Sequence, residues 1–483
     1  MPKLKLLSGS NVTDIHASSL EVLEKAGVIV KNTPALKLLR DAGCTVESNL
    51  VKIPGSLVDE QLKKVQPEFT LYSREGEKAY TVGGDNVIYN PGSAAIFFVD
   101  RESGEMRRAN ANDFRDLVRL TDALEHIHAQ STAMVPSDVA EKISDLYRLY
   151  LILKNSSKPI ITGAFTIEGL TYMKNLLETV VGGEEELRAK PRAIFDCCPS
   201  SPLMWSDVTC QNLLDCAEFG IPAEIIPAPQ MGATSPVSIA GTLVEANAEF
   251  LSGVVISQLA SPGTPIVYGG SPSAFDMRYL TARLGAVESV MAACEGAQMG
   301  KHYGVPTHGY MGLSDSKATD GQGSFESGMG ILLSALSGVN IVSGPGMQAS
   351  ENCQSLEKLV LDNEYCGAAY RLLEGIHVDD VSLATEVITK VGPGGHFLGE
   401  RHTRENLRRE QYMPSSVLDR LSPDAWLKEG GKDSAVRARE RVHDILSKHK
   451  PAALPAGVES SLEDEMKKIL KNFSLSPSHL PKL

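Results

Sequence analysis

The segment 305–323, VPTHGYMGLSDSKATDGQG, gathers more reactive side chains than a connecting loop needs. A short apolar run leads into a histidine, a tyrosine and two aspartates set among four glycines. His308 can act as a general base, and Asp315 can pair with a cation or move a proton. The stretch after the apolar run exceeds the roughly two to six residues usual between strand and helix. We therefore predict His308 and Asp315 as catalytic residues, with a solvated loop as the alternative.

A second glycine-containing turn follows at 342–348, VSGPGMQ. Its backbone amides could receive an anion such as a carboxylate. The turn lacks the Lys-Ser/Thr pair of a phosphate-binding loop, so a nucleotide site is not indicated. We predict Gly344, Gly346 and Gln348 as substrate-binding residues, and a plain strand-to-helix turn is the alternative.

Three aromatic side chains complete the predicted binding set. Tyr268 and Tyr310 fall at the ends of apolar runs, and Phe98 lies in a β-like run that could cover those ends. Aromatic side chains at these positions could form part of the wall of a binding site. We predict Phe98, Tyr268 and Tyr310 as substrate-binding residues, while packing in the core is the alternative for each.

Adjacent cysteines end the run AIFDCC at Cys197 and Cys198. Two thiolates could ligate zinc if a third ligand came from another strand. No C-x-x-C or H-x-x-x-H spacing supports such a site, so we predict no metal and keep zinc as an alternative. The eight cysteines have no regular spacing, which indicates reduced thiols and a cytoplasmic protein.

The elements that must position these residues follow a βα rhythm, in which short apolar runs alternate with amphipathic helices. Eight such units predict a (β/α)8 TIM barrel with its active site at the carboxyl ends of the strands. An open doubly wound sheet is the alternative, but no G-x-G-x-x-G follows the first strand. The predicted strands are 128–135, 159–165, 193–198, 223–229, 265–270, 305–310, 340–345 and 375–378.

The predicted α/β fold has three parts: an N-terminal α+β extension (1–120), the barrel (121–395) and a mainly helical C-terminal segment (396–483). The 483 residues carry a net charge of -13, which disfavours a nucleic-acid surface. No run of about 18 apolar residues is evident in the sequence, so no membrane span is expected.

Several stretches together resemble the trimethylamine methyltransferase superfamily, in particular its members without pyrrolysine. The resemblance covers nearly the whole chain and is carried by HASSLEVLEKAGV (16–28), YNPGSAAIFFVD (89–100), YGGSPSAFDMR (268–278), GVPTHGYMGLSDSKATDGQ (304–322), LSGVNIVSGPGM (336–347) and GPGGHFLGERHTRENLR (392–408).

The resemblance implies a barrel that transfers a methyl group from a methylated amine to cobalt in a partner corrinoid protein. The chain holds only standard residues, which implies a quaternary amine such as glycine betaine or proline betaine rather than trimethylamine. The corrinoid would belong to the partner, with no cofactor held permanently by this chain, and we expect a homo-oligomer. A zinc-dependent methyltransferase to a thiol and a non-catalytic betaine-binding barrel are the alternatives.

Overall fold

The computed structural model describes residues 3–482 and has an α/β fold. Its N-terminal part combines helices with short strands, as the sequence predicted. The helices are α1 (Gly9–Lys25), α2 (Thr33–Asp41) and α3 (Gly55–Leu62), and the strands are β1 (Val28–Val30), β2 (Thr45–Glu47), β3 (Leu50–Lys52), β4 (Glu68–Tyr72), β5 (Lys78–Gly83), β6 (Ile88–Asn90), β7 (Phe97–Val99) and β8 (Met106–Arg108).

Parallel strands form the centre of the fold. One sheet has the order β15-β13-β11-β10-β9 and the other β18-β19-β6, all paired in parallel. Besides β6, these strands are β9 (Gln130–Ser131), β10 (Ile160–Thr162), β11 (Ala193–Cys197), β13 (Ala223–Ile225), β15 (Ile266–Tyr268), β18 (His308–Tyr310) and β19 (Ile341–Ser343).

Two further contacts connect the sheets. Tyr268 of β15 forms a parallel bridge with Thr307, directly before β18. On the other side, the backbone N–H groups of His128 and Ala129 donate to the Tyr89 carbonyl of β6 at 2.8 and 3.3 Å. Each sheet edge therefore has a hydrogen-bonded neighbour in the other sheet.

Helices follow the parallel strands in the predicted alternation. They are α4 (Ala111–Ala123), α5 (Ser144–Asn155), α6 (Gly169–Val181), α7 (Glu184–Ala189), α8 (Asp207–Phe219), α9 (Ile239–Ala260), α10 (Val287–His302), α11 (Gly321–Ser337) and α12 (Leu356–Glu374). Short strands lie in the connecting loops: β12 (Met204–Trp205), β14 (Gln230–Met231), β16 (Ser273–Asp276), β17 (Thr281–Arg283), β20 (Met347–Gln348) and β21 (Cys353–Gln354).

Seven of the eight predicted parallel strands are confirmed, but the strand predicted at 375–378 is wrong. Gly375 ends α12 with a φ of +71°, and Ile376 is 89% exposed, so this segment has no sheet to join. Its place beside β19 is taken by β6, from the predicted N-terminal extension. The helix after β15 begins only at Val287, because the β16–β17 hairpin fills the chain between them.

Helix α9 has no unbroken run of 18 apolar residues, because Glu245, Asn247 and Glu249 interrupt it. It is long and apolar enough by length and composition to cross a membrane, with mean hydropathy 1.4 over 18 residues. In the fold 72% of that window is buried, and α9 packs against α1, α3 and α8.

The C-terminal segment is mainly helical, as predicted. Its helices are α13 (Asp380–Leu383), α14 (Thr385–Val391), α15 (Arg401–Glu410), α16 (Pro423–Lys428), α17 (Ser434–Lys448) and α18 (Ala456–Asn472). The apolar faces of α17 and α18 pack on the central helices, with Val442 and Leu462 fully buried.

Candidate functional site

Apolar side chains close one end of the parallel strands. They form a cluster with the β4–β5 hairpin, which contributes Phe69, Leu71 and Val82. The strand members of this cluster are Ile88, Ala129, Ile161, Ile194, Val267 and Ile341. Side chains alternate along a strand, so the residue two positions further on faces the same side. Those residues are polar or glycine in every case: Asn90, Ser131, Gly163, Asp196, Gly269 and Ser343.

A polar network links four strands at this second level. His308 Nδ1 lies 2.6 Å from Glu224 Oε1, and both side chains are almost completely buried. His308 Nε2 lies 2.8 Å from the Ser343 hydroxyl, which donates to Asn90 Oδ1 at 3.0 Å. The network fixes the imidazole between a carboxyl group and a hydroxyl, so predicted His308 lies at the polar end of the parallel strands.

Tyr310 stands directly above the histidine. Its ring meets His308 edge to face, with centroids 4.8 Å apart and planes at 87°. Its hydroxyl lies 2.7 Å from Ser93 Oγ. Burial, together with the nearby Asp196 and Glu351 carboxyl groups, raises the pKa of Tyr310 well above its ordinary value. The phenol is therefore neutral and held in one orientation.

Asp196, Cys198, Tyr310 and Glu351 lie near one another at this polar end of the strands, and we call the space between them the pocket. Asp196 and Cys198 line its accessible side. Cys198 is exposed and Asp196 is half-buried, so solvent reaches both. Burial and the neighbouring Glu224 carboxyl raise the pKa of Asp196 well above its ordinary value. The pocket thus holds acidic groups that stay protonated at a higher pH than free carboxyl groups, because their charges crowd one another.

A third carboxyl group, that of Glu351, enters the pocket from the loop between β20 and β21. Glu351 follows Ala349 and Ser350, and all three have left-handed backbone, with φ of +52°, +54° and +69°. Burial raises the pKa of Glu351 to about 8. Its Oε1 atom is buried and has no hydrogen-bond partner among residues 3–482.

The predicted catalytic Asp315 lies behind that loop and holds it. Its Oδ1 accepts a hydrogen bond from the Ser350 hydroxyl at 2.7 Å and one from the Gly285 amide at 3.0 Å. Burial raises the pKa of Asp315. Both contacts are made by Oδ1, so Asp315 holds the loop in position. The structure does not bring it into contact with His308.

A buried arginine sits on the other side of Asp196. Arg148 donates from Nη1 to the Thr132 carbonyl at 2.7 Å, and its guanidinium lies 4.7 Å from the centroid of the Phe165 ring. Phe165 is 50% exposed and follows β10. Burial lowers the pKa of Arg148 to about 10, while the Asp145 and Asp196 charges act in the opposite direction. The guanidinium therefore remains charged near neutral pH.

Two predicted aromatic residues lie elsewhere. Tyr268 points into the helix layer, where its ring is 4.2 Å from that of Phe250 and its hydroxyl donates to Asn247 at 3.3 Å. It alternates with Val267, which faces the inside of the strands. Phe98 is buried with the Arg107 guanidinium 5.3 Å from its ring centroid. The structure does not join either ring to Tyr310, and both belong to the packing of the fold.

The predicted anion turn is also occupied by protein groups. The Gly344 amide donates to the Asn90 carbonyl at 3.1 Å, and the Gly346 amide donates to Asp362 Oδ2 at 2.6 Å. The Gln348 side-chain amide donates to Thr319 Oγ1 at 3.0 Å. The donors predicted to receive a substrate carboxylate are therefore used internally, and this assignment is corrected.

The two adjacent cysteines do not form a joint site. Cys197 faces the helix layer beside Cys216, whereas Cys198 faces Asp196 and Tyr310 in the pocket. Neighbouring residues of a strand point to opposite sides, so the two thiols cannot ligate one metal ion together. Within residues 3–482, no group of three potential ligands has metal-binding geometry.

Sequence reasoning missed the three acids of the pocket, namely Asp196, Glu224 and Glu351. A signal for two of them was present, because AIFDC and AEI each place an acid inside a short strand of otherwise apolar residues. Buried charged groups are rare without a functional or pairing role. Nothing in the local sequence marks Glu351, whose position depends on an unusual backbone.

Chemically, the pocket suits a small organic cation. Three carboxyl groups lie close together there, a nearby cation would favour their ionised forms, and the Tyr310 ring lies beside Asp196 and Glu351. Aromatic faces and carboxylates are the groups that recognise quaternary ammonium ligands. His308 adds a side chain able to accept or donate a proton at the base of the pocket.

Comparisons with known proteins match nearly the whole chain to one family. A family model described as trimethylamine methyltransferase (MTTB) matches residues 1–473. Glycine betaine methyltransferase of Desulfitobacterium hafniense strain Y51 is 33% identical over 465 residues, covering 96% of both chains. Trimethylamine methyltransferase MttB of Methanosarcina barkeri is 32% identical over 481 residues, covering 98% of this chain and 96% of that protein.

Among solved structures, the monomethylamine methyltransferase MtmB of Methanosarcina barkeri aligns with a TM-score of 0.49 at 12% identity. The alignment covers 90% of this chain and 94% of that one.

Proposed function

The chain belongs to the trimethylamine methyltransferase family and is a methyltransferase, and from that premise we propose its substrate and acceptor. It moves a methyl group from a quaternary amine, such as glycine betaine or proline betaine, to Co(I) of a partner corrinoid protein. The observation that carries this proposal is the pocket of Asp196, Glu224 and Glu351 beneath Tyr310.

A fixed positive charge suits this pocket better than a neutral amine does. Three crowded carboxyl groups repel one another when ionised, and a cation among them removes that cost. A quaternary nitrogen carries its charge at every pH, and loss of a methyl group leaves a neutral amine that needs no general acid. The pocket residues then act by desolvating the cation and aligning one N–CH3 bond.

The partner's corrinoid supplies the electron pair that takes up the methyl group, while the electrons of the broken C–N bond stay on nitrogen. This chain's part is binding and orientation. His308 and Tyr310 form the base and wall of the pocket, and Arg148 provides positive charge on the Asp196 side, where a betaine carboxylate would lie. No step needs a proton donor from this chain.

The parallel strands support a closed (β/α)8 barrel as the frame of this site. The Tyr268–Thr307 bridge and the hydrogen bonds to the Tyr89 carbonyl lie at the two places where a closed barrel requires contact. In such barrels the site lies at the carboxyl ends of the strands. We also propose a cytoplasmic location, a homo-oligomer, and the three-part division at 120 and 395, with β6 added to the barrel.

An apolar rim offers a docking place for the partner protein. The tip of the β16–β17 hairpin exposes Met277, Tyr279 and Leu280 by 60–73%, and Val237 in the loop after β14 is 75% exposed. Both loops follow the carboxyl ends of parallel strands. Exposed apolar groups of this kind mark protein contact surfaces, so the rim would place a partner over the pocket.

The test combines the purified protein, a reduced corrinoid protein and single amines. With a quaternary betaine, the absorption of Co(I) should be replaced by that of methylcobalamin, and mass spectrometry should find one equivalent of demethylated amine. Trimethylamine and an assay without this chain are the controls. A panel of betaines that leaves the cobalamin spectrum unchanged would overturn the proposal.

A further inference from the structure

We propose that Glu351 selects cationic substrates and that the strained segment 349–351 positions its carboxyl for this task, an inference that rests on the proposed function. The segment lies between β20 and β21, outside the regular strands that carry the other pocket acids. Its role would be specificity: it would distinguish a permanently charged amine from a neutral molecule of the same shape.

The backbone of this segment is costly to maintain. Ala349, Ser350 and Glu351 are consecutive non-glycine residues with φ between +52° and +69°. A side chain in the left-handed region clashes with its own backbone, so such residues are uncommon, and three in succession are rarer still. Strain of this kind persists only where the surroundings enforce it, and it concentrates at functional sites.

The surroundings here enforce it through the loop that follows β18. The Ala349 amide donates to the Ser316 carbonyl at 2.8 Å, and the Ser350 amide donates to the Ser314 carbonyl at 3.1 Å. The Ser350 hydroxyl reaches Asp315 at 2.7 Å. Two carbonyls of the loop after β18 thus fix the turn, and Asp315 acts as a positioning residue for Glu351.

The turn delivers a carboxyl group that the protein itself does not neutralise. Glu351 Oε1 is buried and lacks a hydrogen-bond partner within residues 3–482. A buried carboxylate without a partner is unfavourable. We therefore expect the Glu351 carboxyl to ionise favourably only when a cation binds beside it.

The charged and titratable groups around Glu351 come from several elements. Asp196 and Cys198 face it from β11 and its end, and Tyr310 from β18, since its charge raises the pKa of each. Behind them lie Glu224, His308 and Arg148. Negative groups predominate, so a bound cation favours the ionised form of Glu351 and its binding releases a proton.

The first test measures binding alone, by calorimetry, with glycine betaine and with tetramethylammonium between pH 6.5 and 9. In the wild-type protein the affinity should rise by up to tenfold per pH unit and level off above pH about 8. Glu351→Gln should bind both cations at least tenfold more weakly at pH 8.5 and should lose this part of the pH dependence. Glu374→Gln, an exposed acid at the end of α12, is the matched control.

Two further variants test the strained turn in case Glu351→Gln folds poorly. Ala349→Gly relieves a left-handed residue, so the midpoint of thermal unfolding should rise, while a looser carboxyl should weaken cation binding several-fold. Asp315→Asn should weaken binding in the same way. A purely structural turn predicts the opposite for Ala349→Gly, namely equal or tighter binding in the more stable protein.

The outcomes separate this inference from the proposed function. If methyl transfer from betaine occurs but Glu351→Gln binds and turns over like the wild type, the role of Glu351 is overturned and the function stands. If cation binding depends on Glu351 but no amine is demethylated, the function fails and the binding role stands. If the wild type binds neither cation, both proposals are overturned.

Discussion

The two ends of the parallel strands differ although they are only two residues apart along the chain. At one end Ile194 and Ile341 pack with the β4–β5 hairpin in a dry apolar cluster. At the other end Asp196 and Ser343 face the same interior and hold polar contacts. The parallel pairing of β19 with β6 includes both Ile341 and Ser343, so side-chain chemistry divides the apolar core from the pocket.

The difference also separates stability from binding. Apolar burial stabilises the fold without regard to direction, whereas crowded acids are tolerated only because strands and loops hold them apart from water and from one another. The apolar end therefore provides the rigidity that the polar end needs. The same division suggests substitutions at paired positions on a single strand.

The largest effect is expected at the apolar end. Ile341→Ala removes a fully buried side chain from the cluster and should lower the free energy of unfolding by about 2–5 kcal/mol. Chemical denaturation followed by circular dichroism measures this change. Betaine affinity of the folded protein should be unchanged, and a loss of affinity without a loss of stability would contradict the division between the two ends.

The matched substitution two residues further along β19 should act on binding instead. Ser343→Ala removes the hydroxyl that connects His308 and Asn90. We expect the betaine dissociation constant to rise about tenfold, or roughly 1.4 kcal/mol, with a smaller loss of stability than Ile341→Ala. Equal loss of stability in the two variants would show that Ser343 serves the core.

The fold was predictable from the sequence where local pattern decides it. Short apolar runs between helices predicted seven of the eight parallel strands, because a strand buried on both faces must be apolar. The missing strand shows the limit of that reading. GIHV at 375–378 and NVIY at 86–89 look alike locally, and only the neighbours of β6 across the sheet distinguish them.

The pocket was less predictable because it depends on direction and backbone. His308 and Tyr310 were predicted as site residues because strand ends carry binding groups in barrels, and both lie at the polar end of the strands while their roles stay predictions. Tyr268 was misplaced because the sequence does not reveal which face of β15 turns inward. Glu351 could not be found at all, since left-handed residues other than glycine leave no mark in composition.

The pH dependence of stability distinguishes the strained loop from the apolar end. The pKa of Glu351 is raised from 4.5 to about 8 on folding, so between these values the folded protein holds a proton that the unfolded chain has released. Stability should therefore fall as pH rises through this window. Glu351→Gln should make the fall of stability with pH less steep, so the difference in melting temperature between this variant and the wild type should change by about 1–3 °C across the window. Ile341→Ala should show the same dependence of melting temperature on pH as the wild type.

The smallest effect concerns the reactivity of two neighbouring thiols. Cys198 faces the pocket and is exposed, whereas Cys197 and the other six cysteines are buried. Although Cys198 is exposed as a residue, the protein groups packed around its thiol limit hydration there, and this desolvation together with the Asp196 carboxyl raises its pKa well above the ordinary value. Because the thiolate is the reactive form, iodoacetamide should modify Cys198 slowly at pH 7 and faster with rising pH, as peptide mass spectrometry would report.

Labelling in the presence of substrate tests whether the substrate binds beside Cys198. Glycine betaine near Asp196 and Glu351 should cover Cys198 and reduce its modification, while Cys197 stays unmodified throughout. Cys198→Ser, which keeps the size and removes the thiol, serves as the control for the assigned peptide. Modification of Cys197 before Cys198, or labelling that betaine leaves unchanged, would mean that the accessible side of the strands is not where the cation binds.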